Sequence, residues 1–282
     1  MGKAMFAGYQ RKINFICVAL LMVVSISSCQ NSREILKFGI DYSKVSVNSL
    51  KGYDMVVLEP FNYNYRETRQ LLESKTKLIG YVSLGEVGAS RWYYPLLKDK
   101  GLLLGKNENW DSYFINLTDT LSRRMLLNKV IPEIMDRGFD GLFLDTIDDV
   151  APGTGRGNMQ GDMVQLIREI RKRYPDIYII QNRGMFLLNQ THKYVNALLI
   201  EDVASSYNFD QKKYYMVDDS TFKKRIENID HYEAEINSGQ LLLVDYATSD
   251  SLKKQVQQRL DTLKLPYFIS SIKLDTLPPV KN

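Results

Sequence analysis

The chain has 282 residues, with 37 Lys and Arg against 33 Asp and Glu, a net charge of +4, two cysteines and two histidines. This balance gives no clustered basic excess of the kind nucleic-acid binding wants, and the Cys and His count is too small for a zinc centre or a disulfide framework. A chain of this length buries roughly three quarters of its extended surface without staples, and one domain of α/β-barrel size is the simplest count.

Residues 1–28 read as a targeting segment outside the fold. Lys3, Arg11 and Lys12 form a basic front, and Ile13 to Ile26 is apolar apart from Asn14, Cys17 and Ser25. That stretch is shorter than the about 20 apolar residues of a spanning helix and has the layout of a secretory signal. Ile26-Ser27-Ser28-Cys29 has the form of a bacterial lipobox. It makes Cys29 the lipid-bearing first residue of the mature chain and residues 29–35 its tether. The expected place is the bacterial cell envelope, periplasmic or surface-exposed, with the membrane reached through the lipid on Cys29. Removing residues 1–28 leaves 34 basic side chains against 33 acidic, a net of +1, and no thiol pair for a disulfide.

From residue 36 to 282, short apolar runs alternate with stretches of helical period. The runs are Leu36 to Ile40, Met55 to Leu58, Leu78 to Leu84, Tyr113 to Leu117, Gly141 to Leu144, Ile177 to Ile180, Ala197 to Ile200, Leu241 to Val244 and Tyr267 to Ile269. Between them Met163, Leu166, Ile167 and Ile170 mark one helical face, Phe222, Ile226, Ile229 and Ile236 another, and Leu252, Val256 and Leu263 a third. Strands alternating with helices imply βαβ units, and eight of them make a (β/α)8 TIM barrel. Nine runs compete for eight places, and the first or the last is expected to be the surplus one. Ser220 or Thr221 is expected to cap the 222–238 helix, Gly239 to close it, and Pro266 to stop the last helix.

Nearly every run ends in a polar group: Asp41, Glu59, Glu86, Asn116, Asp145, Asn182, Glu201 with Asp202, and Asp245 with Tyr246. A barrel enzyme gathers such groups at the carboxyl ends of its strands. The competing explanation is that Asp and Asn favour turns because they bond their own backbone, an explanation that does not extend to Glu. Asp148 and Arg91 join the list as candidate substrate contacts. Arg91 and Arg183 have a second reading, as bidentate holders of a carboxylate. Aromatic residues in the same loops, namely Phe61, Tyr63, Tyr65, Trp92, Tyr93, Tyr94, Tyr207 and Tyr246, either cover sugar faces or pack as satellite core. His192 and His231 lack ligand spacing, Asp145, Asp148 and Asp149 match no calcium loop, and Gly153-Thr-Gly155-Arg-Gly157 lacks the residues of a phosphate loop. No metal and no cofactor are expected, and the glycine-rich stretch reads as a rim loop.

Tyr81-Val-Ser-Leu-Gly85-Glu86, Arg91, Gly138-Phe-Asp-Gly-Leu-Phe-Leu-Asp145, Gln181-Asn182-Arg-Gly184, Leu199-Ile-Glu201, Val244-Asp-Tyr246 and Pro266-Tyr267 occur in that order. In this the chain resembles glycoside hydrolase family 114, a group of endo-α-1,4-polygalactosaminidases, from about residue 36 to 275. The resemblance implies a (β/α)8 barrel, a hexosamine polysaccharide as substrate, and a catalytic pair at Asp145 and Glu201. Many relatives carry a further acid just past Gly-Glu where this chain has Gly88. Two carboxyl groups are what glycosidic cleavage needs, one to protonate the leaving oxygen and one to attack or to activate water. By analogy Asp145 is the nucleophile and Glu201 the acid/base. The second functional reading is a lipid-anchored glycan-binding barrel with little or no turnover.

Overall fold

The computed structural model describes residues 35–236 and 239–280, so the signal segment, Cys29 and the start of its tether lie outside the described residues. The strands in chain order are β1 (Phe38–Asp41), β2 (Met55–Leu58), β3 (Lys77–Ser83), β4 (Glu86–Gly88), β5 (Leu103–Asn107), β6 (Ser112–Ile115), β7 (Gly141–Asp145), β8 (Tyr178–Asn182), β9 (Ala197–Glu201), β10 (Ser205–Asn208), β11 (Lys213–Met216), β12 (Gln240–Tyr246) and β13 (Tyr267–Ser270). Eight of them form one parallel sheet in the order β1-β2-β3-β7-β8-β9-β12-β13. Its two ends approach through Phe38 and Phe268, 6.2 Å between ring centroids, and through the Tyr42 N–H bonded to the Leu274 carbonyl at 2.6 Å. The result is a nearly closed (β/α)8 barrel.

The surplus run is Tyr113 to Leu117, which supplies β6, and both the first and the last run enter the barrel. β6 is the middle strand of an antiparallel excursion, β4-β6-β5, inserted between β3 and β7. A parallel neighbour needs a crossover of a dozen or more residues, usually helical, and the only α-helix between β3 and β6 is the five-residue Tyr94–Lys98. Burial agrees, since Tyr113 and Phe114 are half-buried while β1, β2 and β8 are buried throughout. The first helical face also holds: Met163, Leu166, Ile167 and Ile170 are all buried in the helix Gln160–Arg173. The helix Asp219–Ile236 starts earlier than its sequence signals, because the Asp218 carboxylate accepts the Thr221 N–H at 2.9 Å and both the Ser220 and Thr221 hydroxyls at 2.6 Å. Asp218 therefore caps it, in place of Ser220 or Thr221.

Two apolar layers sort the strand residues by parity. Phe38, Ile40, Met55, Val57, Ile79, Phe143, Ile180, Leu199, Val244 and Phe268 pack in a cluster that takes residues from all eight barrel strands and none from a helix, so it fills the barrel. The alternate residues, among them Val56, Leu78, Leu142, Leu144 and Ile179, pack with helix residues such as Ile131, Ile134, Leu166 and Ile170 on the outside. Because successive side chains point to opposite faces, continuing the inner row by two residues reaches Glu59, Tyr81, Asp145, Asn182, Glu201 and Tyr246.

Gly138-Phe-Asp-Gly is the frame that seats β7. Gly138 leaves the preceding helix with φ 97° and Phe139 is buried at 3 % exposure. The Asp140 carboxylate accepts the Leu78 N–H at 2.8 Å, fixing β7 beside β3. A Cβ on Gly141 would stand 1.9 Å from the Tyr178 carbonyl oxygen, so only glycine allows β8 this close.

Candidate active site

Each of β7, β8 and β9 ends in an inward polar residue followed by a non-glycine residue in the left-handed region: Thr146 at φ 60°, Arg183 at φ 55° and Asp202 at φ 62°. This conformation is costly for a β-branched Thr, and it turns the chain sharply away just after the functional side chain. Hydrogen bonds hold Thr146 there, its Oγ1 accepting the Gly85 N–H at 2.8 Å and lying 2.8 Å from Ser83 Oγ.

Asn182 links the two acids. Its Nδ2 donates to Asp145 Oδ1 at 2.7 Å and to Glu201 Oε1 at 2.8 Å, so those two oxygens are at most 5.5 Å apart. The opposite amide orientation would turn an oxygen toward two carboxylates. Tyr81 OH donates to Asp145 Oδ2 at 2.8 Å, and Tyr246 OH donates to Glu201 Oε2 at 2.9 Å. Burial and the nearby carboxylates hold both phenols well above their ordinary pKa, so both stay donors.

The acids differ in electrostatics. Burial pushes Glu201 up to about 7, with Arg183 opposing and Asp145 adding to the shift. Asp145 is also raised by burial, against the hydrogen bonds from Asn182, Tyr81 and the Thr146 backbone. Arg183 stands among three carboxylates, 3.2 Å from Asp148, 3.5 Å from Asp202 and 3.7 Å from Glu201. Arg91 forks onto Glu59 at 2.6 and 2.5 Å, so the bidentate reading holds for Arg91.

A second pair of acids lies farther along the wall. The Glu86 carboxylate accepts from Asn107 Nδ2 at 2.7 Å and from Ser112 Oγ. Asp149 is pushed up to about 9 by burial and then by the Glu86 and Asp148 carboxylates, so it carries a proton at neutral pH. Among the described residues no group of three or more His, Cys, Asp or Glu side chains is arranged to hold a metal ion.

These residues surround one cavity of about 910 Å³, at the upper end of the ligand-sized range. Glu59, Glu86, Arg91, Asp145, Asp148, Asn182, Glu201, Asp202 and Tyr246 line it as expected. Three expected contacts do not. Asp41 and Asp245 have the wrong parity, following the inward Ile40 and Val244, and both point away from the axis. Asp41 accepts the Ser43 N–H and hydroxyl at 2.7 and 2.6 Å. Asp245, fully buried, accepts the backbone N–H groups of Val203 at 3.2, Ala204 at 2.9 and Ser205 at 2.5 Å. Asn116 belongs to the excursion and accepts the Thr118 N–H at 3.2 Å, a turn of the kind Asn favours.

Of the expected aromatics, Tyr93, Tyr207 and Tyr246 reach the cavity. Tyr63 packs beneath a loop at 3 % exposure, and Tyr65 lies under the Arg137 guanidinium, 4.7 Å away. The residues that sequence reasoning missed are Tyr42, Tyr81, Trp110, Thr146 and Phe209. Tyr81 had a usable signal, a polar-tipped ring two residues beyond the inward Ile79. Gly88 lines the cavity with nothing within 4 Å of a Cβ built there, so the missing acid leaves open space.

A (β/α)8 barrel with two carboxyl groups facing one another at the carboxyl ends of its strands has the architecture of a glycosidase. The sequence model of glycoside hydrolase family GH114 matches residues 27–276, and the chain belongs to that family, a glycoside hydrolase as its landmarks implied. No curated protein sequence matches the chain. Among solved structures, it is similar to the glycoside hydrolase domain of PelA from Pseudomonas aeruginosa, at 22% identity, covering 86% of this chain and 98% of that one, with TM-score 0.74. Ega3 of Aspergillus fumigatus, solved in complex with galactosamine, is 14% identical over 87% and 95% of the two chains, with TM-score 0.67. The α-galactosidase TtGalA from Thermus thermophilus is 10% identical over 88% and 59%, with TM-score 0.57. At these identities the likeness is one of fold.

Proposed function

We propose that this protein is a retaining glycoside hydrolase that cuts α-linked, free-amine hexosamine polysaccharide of the galactosaminan type, with Asp145 as nucleophile and Glu201 as acid/base. The observation that carries the reading is the single Asn182 nitrogen bonded to both acids. It keeps Asp145 Oδ1 and Glu201 Oε1 within 5.5 Å of one another, in keeping with the about 5–5.5 Å between carboxyl groups of a double displacement rather than the about 6.5–9.5 Å of a direct one. The Asp145 carboxylate attacks the anomeric carbon while Glu201 gives its proton to the departing glycosidic oxygen. Water then attacks the glycosyl ester, Glu201 takes its proton, and Asp145 leaves as carboxylate. The roles follow from the electrostatics, since an acid with pKa about 7 is poised to give and take a proton near neutrality.

The substrate class follows from charge. Eight carboxylic side chains line the cavity, and with Asp149 and the acid Glu201 protonated six remain as carboxylates against three cationic side chains, of which Arg91 is already spent on Glu59. Such a cavity favours a cationic sugar and opposes a uronate. The galactosamine held by Ega3 is in keeping with this. Cys29 carries the lipid that fixes the enzyme to a bacterial membrane, a reading that rests on the sequence of residues 1–29.

The test is hydrolysis of de-N-acetylated galactosaminan by the purified protein, with the anomeric product followed by NMR. The α anomer is expected first, and Glu201→Gln should cost about 10²- to 10⁴-fold in kcat, with Asp145→Asn at least as damaging. Binding without cleavage by the unaltered chain would replace the enzyme by a glycan-binding barrel.

A further inference from the structure

Two hairpins flank the strands that carry the acids. β5 and β6 belong to the excursion after β3, β10 and β11 to the connection after β9, and β7 and β8 lie between those points in the barrel. Both hairpin tips are stiffened. Lys106 Nζ reaches Glu108 at 3.2 Å and Asp111 at 2.8 Å, while Asn208 Oδ1 accepts the Gln211 N–H at 2.8 Å. Trp110 from one tip meets Phe209 from the other edge to face, with 5.3 Å between ring centroids. Phe209 also touches Tyr207 at 5.1 Å, and Tyr207 touches Tyr214 at 4.7 Å. The aromatic row thus joins the excursion after β3 to the connection after β9.

Trp110, Tyr207 and Phe209 line the same cavity as Asp145 and Glu201. Trp110 nevertheless keeps 53 % of its surface exposed and Phe209 36 %. Large rings that are held in place yet left in water are placed for a ligand with an apolar face, and a pyranose ring presents one in its axial C–H groups.

We propose that Trp110 and Phe209 form a sugar-stacking clamp that holds the glycan at a unit removed from the bond being cut. This rests on the glycosidase reading and adds to it where the polymer runs. Its consequence is a dependence on chain length, because only substrates long enough to reach from the acids to the clamp gain the stack.

The experiment compares Trp110→Ala and Phe209→Ala with the unaltered enzyme on galactosamine oligomers of increasing length and on the polymer. KM for long chains is expected to rise about two- to tenfold for each ring lost, and less for the shortest substrate cleaved. Trp110→Phe should recover much of the loss. An unchanged KM, a loss confined to kcat, or an equal loss at every chain length would overturn the clamp. Affinity electrophoresis in the polymer, using Glu201→Gln with and without Trp110→Ala, separates this inference from the reading beneath it. Cleavage by the unaltered enzyme with equal migration of the two variants removes the clamp alone. Absence of cleavage with weaker binding of the double variant removes the glycosidase and leaves the clamp.

Discussion

Glu201 and Arg183 set the acidity of the site between them. Glu201 works first as an acid, so kcat/KM should fall as pH rises through about 7 and that carboxyl loses its proton. On the acid side the rate should fall as Asp145 takes up a proton, at a pH above the ordinary aspartate value, because burial raises it. Arg183 lowers the Glu201 pKa, so Arg183→Gln should move the basic limb of the pH–rate profile upward. A basic limb that stays in place in that variant would detach the limb from Glu201. Asp145 and Glu201 stood out in the sequence because each closes an apolar run. Tyr81 and Thr146 did not, since a Tyr inside a strand and a Thr after it have many ordinary uses.

At the level of elements, a strand delivers chemistry only through the parity of its last residues. Asp245 ends an apolar run as Asp145 does, yet it faces outward and clamps the turn after β9 by its bonds to Val203, Ala204 and Ser205. Asp245→Ala should therefore cost about 2–3 kcal/mol in urea unfolding, since buried N–H groups lose their acceptor. A cost near zero would mean that the turn holds itself. The excursion β4-β6-β5 carries a similar lesson. Its middle strand reads as a barrel strand in hydrophobicity, and only the lack of a helix long enough for a parallel crossover removes it. The hairpins that carry Trp110 and Phe209 left no sequence sign of their meeting, because a contact between two loop tips depends on where the barrel puts them.

For the whole molecule, the lipid reading predicts that the chain partitions with membranes and that Cys29→Ala moves it to the soluble fraction with its hydrolytic activity kept. Continued membrane association of that variant would remove the lipid from the account. The barrel itself was legible from the alternation of apolar runs and helical faces, because burial on two faces demands continuous hydrophobicity and burial on one helical face demands a 3.6-residue period. The acids at the ends of β7 and β9 were legible for the same reason: a polar residue that ends a fully apolar strand must emerge at the rim. Only the tertiary structure decided which polar ends face one another. That choice depends on the register and inward parity of eight strands around a common axis, and on the single Asn182 amide that bonds both acids, none of which is a property of any one stretch of sequence.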